Sequence, residues 1–97
     1  MITGKTSQGF EFEVDETVMN DWDYINAIRK AESKDPGTKL LGTADLIVLL
    51  LKEDQAQALS DFIRSKREDG KAPFEAMQSA VNEILKICKD ENEKAKK

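Results

Sequence analysis

The residues with the strongest claim to chemistry are acidic. Asp21 and Asp23 flank Trp22, and Asp45 stands further along. Carboxylates of this kind hold magnesium or serve as acid and base where they converge in a cleft. At i and i+2 on a helix, Asp21 and Asp23 point to different faces, whereas capping and solubility demand no convergence at all. The other usual instruments of catalysis are missing. The chain has no histidine, hence neither the commonest general base nor the commonest metal ligand. Its one cysteine, Cys88, can form neither an internal disulfide nor a thiolate zinc site, and no histidine is there to activate it. Glycines at 4, 9, 37, 42 and 70 match no phosphate-loop or dinucleotide spacing. These residues lead us to expect no catalytic group, no metal and no cofactor.

Composition points the same way. A chain of 97 residues with 39% apolar and 35% charged residues has room for one small domain but not for a large enclosed active site. One cysteine rules out a disulfide-stapled secreted scaffold and makes the reducing cytoplasm the expected compartment. Residues 1–20 carry no basic start followed by an apolar stretch, so no secretory signal is expected. The longest apolar run, Leu46 to Leu51, is far shorter than the roughly 20 residues of a spanning helix, so no membrane is expected either. The net charge of −4 is concentrated at the front, in Glu11, Glu13, Asp15, Glu16, Asp21 and Asp23, with no lysine or arginine from Gly9 until Arg29. Such a front repels phosphate backbones. A protein partner suits it better than nucleic acid.

The elements that must position these residues can be read from hydrophobic spacing. Phe10, Phe12 and Val14 alternate with Glu11 and Glu13, the pattern of a half-buried strand; Ile2 to Thr6 can pair with it across the turn residues Ser7, Gln8 and Gly9. Asp15 can cap a helix running to about Ser33, with Val18, Trp22, Ile25 and Ile28 at helical spacing. Asn20 and Asp21 offer a competing start, which would make the segment a short turn followed by a second helix. Asp35-Pro36-Gly37 stops it. A helix from about Thr38 to Lys52 follows, then a break at Glu53-Asp54, where Asp54 and Gln57 have capping-box spacing. Leu59, Phe62 and Ile63 form the next stripe, which Gly70 closes. From Pro73 the stripe Phe74, Met77, Val81, Ile84, Leu85 and Cys88 runs to about Lys89. The expected fold is α+β and mostly helical, an N-terminal β-hairpin followed by three or four packed helices. Residues 1–90 are expected to form one compact domain, and 91–97 a charged, flexible tail.

One helix has more apolar surface than a single buried face requires. Leu40, Leu41, Ala44, Ile47, Val48 and Leu51 make one side, while Leu46, Leu49 and Leu50 occupy much of the other. Such a helix is either central in its domain or covered by a partner, including a second copy of the chain. Cys88, on the apolar stripe of the last helix, reads as a small core hydrophobe. Trp22 reads either as a core residue or as an interface anchor. The candidate partner-binding set is Leu46, Leu49, Leu50, Phe62 and Trp22.

The order of these features resembles a known family. Gly9 to Glu16, then Asp21-Trp22-Asp23 leading into a helix ending Ala31-Glu32, then the Gly42-Thr43-Ala44-Asp45-Leu46 helix, and Gly70 before the helix from Pro73, are similar to small tail assembly chaperones of long-flexible-tailed bacteriophages. The resemblance covers about residues 5–90. It implies binding to the tape-measure protein, a long aggregation-prone helical chain, and keeping it soluble in the host cytoplasm while tail-tube subunits polymerise around it. It also implies a longer frameshifted form that recruits tail-tube protein; the lysine-rich end, Lys94 to Lys97, is compatible with a slippery A-rich stretch. The family has no catalytic residues to carry over. The competing expectation is a small acidic adaptor, such as an antitoxin or transcription-factor inhibitor, with the same acidic surface and apolar patch.

Overall fold

Alternation at the N-terminus produces an antiparallel hairpin of β1 (Ile2–Lys5) and β2 (Glu11–Val14). Ile2 faces Val14 and Gly4 faces Phe12 in its register. The computed structural model describes residues 1–95, with side-chain surroundings through Glu91. Gly9, at φ 103°, completes the turn that joins the strands, and Thr6 closes it by donating its N–H to the Phe10 carbonyl at 2.9 Å and accepting from the Phe10 N–H through Oγ1 at 3.1 Å. Two strands alone are marginal in water. Ile2, Phe10, Phe12 and Val14 are accordingly all buried against the helices, while Glu11 and Glu13 face outward.

The competing start at Asp21 is the one the chain uses. Asp15 caps a short 3-10 turn, Glu16–Asn20, by accepting from the Thr17 N–H at 3.0 Å. Asp21 then caps α1 (Trp22–Ala31) by accepting from the Asp23 N–H at 3.1 Å. Asp35 does the same for α2 (Pro36–Lys66), accepting from both the N–H and the hydroxyl of Thr38, with Pro36 in the first turn where its missing N–H costs nothing. A side-chain oxygen thus satisfies one orphan N–H at the start of each of these segments.

Helix α2 is two arms joined at a kink. The break falls at Lys52, whose φ of 68° and ψ of 163° are non-helical, one residue before the expected break at Glu53-Asp54. Arm 36–51 packs antiparallel to α1, and Gly42 is where they come closest. A Cβ at Gly42 would lie 2.5 Å from the Ala31 backbone nitrogen, so only glycine permits this approach. Arm 53–66 turns back over the hairpin with Leu59 and Ile63 buried. The hairpin is pinned there by Gln55: its Oε1 accepts from the Glu13 N–H at 2.7 Å and its Nε2 donates to the Glu13 carbonyl at 2.6 Å, as a neighbouring strand would.

Helix α3 (Phe74–Ala95) closes the core with Val81, Ile84 and Cys88. The Pro73 carbonyl accepts the first helical bonds, from Ala76 and Met77. The helix runs through positions 91–95, which the hydrophobic pattern assigns to the tail; Lys96 and Lys97 lie outside the described residues. The fold is therefore α+β and mostly helical, a hairpin followed by three helices. Among the described residues, no helix is long and apolar enough to cross a membrane.

Candidate functional site

The polar groups singled out by type do not converge. Asp21 is committed to the α1 cap, while Asp23 and Asp45 are exposed. Among the described residues, no three acidic or cysteine side chains cluster as a metal site. Cys88 is fully buried, and burial pushes its thiol pKa up, away from the thiolate that a nucleophile needs. Tyr24 is buried too, and its phenol is shifted upward, first by burial and then by Cys88. In the turn between α2 and α3 the Arg67 guanidinium, with the Lys71 N–H, holds the exposed Asp69 carboxyl down to about 2.

The candidate apolar residues separate into three groups. Leu46 and Leu50 are core residues, with 7% and 1% of their surface exposed, which favours the central-helix reading at these positions and corrects their place in the candidate partner-binding set. Burying a leucine stabilises a fold by roughly 1.5–3 kcal/mol, so turning both outward would cost much of the roughly 5–15 kcal/mol that holds a small domain together. Leu49 is half-buried against the core. Phe62 is half-buried as well, its ring 5.5 Å from that of Phe10 and tilted by 58°, with the Lys66 ammonium 5.2 Å from its centroid. That contact ties the hairpin to α2. Trp22 alone of the set lies open, 72% exposed.

Other residues form the free apolar surface. Leu40, Leu41 and Val48 are exposed, as are Ala44 between them and Ile25 on α1. Leu41, Ala44 and Val48 follow one another at three- and four-residue spacing and so make one outward stripe. The apolar arc of α2 is too wide to show by itself which part of it faces in. Gly42 and Thr43 carry that signal: small residues mark the close approach to α1, which places 42, 43, 46 and 50 inside and 41, 44 and 48 outside.

Two clefts flank the α1–α2 pair. One, of about 270 Å³, lies between it and α3, with Tyr24, Ile28, Leu46, Val81 and Leu85 as apolar walls. The other, of about 350 Å³, runs along the seam on the outer side, where Ala27, Val48 and Leu49 form the floor and Asp23 and Asp45 the rims. Trp22 is one helical turn from Asn26, which lines that seam. Together, the stripe and the seam offer apolar contact edged with carboxylates. Compared with protein-family models, curated protein sequences and solved structures, the chain matches none.

Proposed function

We propose that this chain is a tail assembly chaperone of a long-flexible-tailed bacteriophage, which binds the tape-measure protein and holds it soluble in the host cytoplasm until tail-tube subunits surround it. The observation that carries this reading is the set of large apolar side chains, Trp22, Ile25, Leu40, Leu41 and Val48, left exposed on α1 and α2 of a domain this small. Such side chains on a soluble domain mark a surface for another protein. The resemblance in the order of Gly9 to Glu16, Asp21-Trp22-Asp23 and Gly42 to Leu46 supplies the kind of partner.

On this reading the work is holding rather than turnover. The α2 stripe covers apolar faces of the client, while the acidic front, Glu11, Glu13, Glu16 and Asp21, keeps the complex in solution by net repulsion. Many copies along one long client each need only modest affinity, because every bound copy removes one more sticky segment. Co-expression with a tape-measure chain tests the proposal. The client is expected to move from the pellet to the soluble fraction and to co-purify with this protein; a client equally insoluble with and without it overturns the reading.

A further inference from the structure

The seam between α1 and α2 does not end at Val48. Val48 also lines a second shallow cleft of about 470 Å³ that crosses the kink, with Ala56 on its floor and Glu53 and Asp54 on its rim. The two clefts meet at Val48, and the straight arm of α2 from Leu41 to Leu51 accounts for roughly 15 Å beside them. Their floors are apolar. Four carboxylates, Asp23, Asp45, Glu53 and Asp54, line them against a single ammonium, Lys30. Among the described residues, no lysine or arginine lies within ion-pair distance of any of the four. Lys52, next to them in sequence, is instead close enough to Asp15 to help lower that carboxyl.

From this geometry we infer that the two clefts act as one groove, the docking site for a basic amphipathic helix of another protein, with apolar side chains on the Ala27, Val48 and Ala56 floor and lysines or arginines on the acidic rims. The inference deepens the chaperone reading and rests on it only for the identity of the protein that supplies the helix. A seam between two antiparallel helices accepts a third helix, and small Ala44 lets it come close. Charge decides the occupant. A second copy would bring the same unpaired carboxylates, on a chain of net charge −4, against these, and a nucleic acid would bring phosphates. A cationic helix gains at every rim position.

The test uses a synthetic amphipathic peptide of about 18 residues, with leucines on one face, lysines along its edges and no tryptophan, and a twin with glutamates in place of the lysines. Trp22, the chain's one tryptophan, reports binding through its emission. The lysine peptide is expected to bind about tenfold or more tighter than the twin, to weaken as salt rises from about 50 to about 500 mM, and to lose about tenfold on the combined change Asp23→Asn, Asp45→Asn and Asp54→Asn. Val48→Asp, at an exposed position, is expected to abolish binding without shifting the melting temperature. Equal binding of both peptides, or lysine-peptide binding that survives Val48→Asp, overturns the inference. So does sedimentation showing a dimer that Val48→Asp dissociates, which would make a second copy the occupant. The two readings fail separately. A tape-measure client held soluble by the Val48→Asp variant sinks the groove but not the chaperone, whereas tight peptide binding with no effect of the wild-type chain on the client sinks the chaperone but not the groove.

Discussion

A single hydrogen at Gly42 sets the distance between α1 and α2. Its notional Cβ would meet the backbone nitrogen of Ala31 at 2.5 Å and the carbonyl carbon of Lys30 at 2.6 Å, and backbone cannot swing aside as a side chain can. Gly42→Ala is therefore expected to destabilise the fold by about 2–3 kcal/mol through forced separation of the two helices. A fall in the urea midpoint with an unchanged slope would show this, and an unchanged midpoint would show that the helices can part freely. The acidic residues divide by role: Asp15, Asp21 and Asp35 cap the segments they precede, while Asp23 and Asp45, the other carboxylates singled out with Asp21 as candidate ligands, stay exposed. Their type was legible. Capping by Asp15 and Asp21 was legible too; that each starts its own segment was decided by the backbone N–H groups that lie just ahead of them.

At the scale of elements, the kink in α2 carries the most strain. The φ of 68° and ψ of 163° at Lys52 fall in a region that glycine alone occupies without cost, and other residues there lose of order 1–3 kcal/mol. Turning the chain at this point sends arm 53–66 back over the hairpin, and Gln55 donates to the Leu51 carbonyl at 2.8 Å while clamping Glu13. Lys52→Gly is expected to raise stability by about 1 kcal/mol, the relief of strain less the greater freedom of glycine in the unfolded chain. Chemical denaturation measures it, and a loss of stability would mean that the lysine side chain contributes more than its backbone costs. The sequence placed a break one residue away, because Glu53-Asp54 resembles a cap. It gave no reason for a lysine to bear it, since only the packing of both arms on one core imposes that geometry. Helix α3 was legible as far as its core stripe. Its continuation to Ala95 was not, because glutamate, lysine and alanine prolong a helix by backbone propensity without leaving a hydrophobic pattern.

The whole molecule is held at its acidic groups in a way that pH should reveal. Asp69 titrates at about 2, below its ordinary 3.8, because of Arg67 and the Lys71 N–H. Asp15 is lowered by its bonds from Thr17, and Asp35 by its bonds from Thr38. A carboxyl with a depressed folded pKa binds protons more readily once unfolded, so its stabilisation is present above pH 3.8 and is lost as pH falls towards 2. Melting temperature is expected to drop across that window, and Asp69→Asn should make the drop shallower while leaving it in place. Melting curves between pH 5 and pH 2 would decide this, and an identical slope in the variant would show that the Arg67–Asp69 pair does not respond to folding.

What the sequence determined by itself was the set of elements and the surplus. Alternation wrote the hairpin, capping acids and the Asp35-Pro36-Gly37 stop wrote the helix starts, and the Leu40–Leu51 segment carried more apolar surface than one face can bury. Tertiary structure alone decided which side of that surplus is spare. Local periodicity is symmetric about a helix that is apolar nearly all round, and the close contact at Gly42 breaks the symmetry, turning Leu46 and Leu50 into the core and leaving Leu41, Ala44 and Val48 outside. The acidic groove has the same origin. Asp23, Asp45, Glu53 and Asp54 come from three stretches of chain, and only the packing of α1 on a kinked α2 sets them around two clefts that meet at Val48.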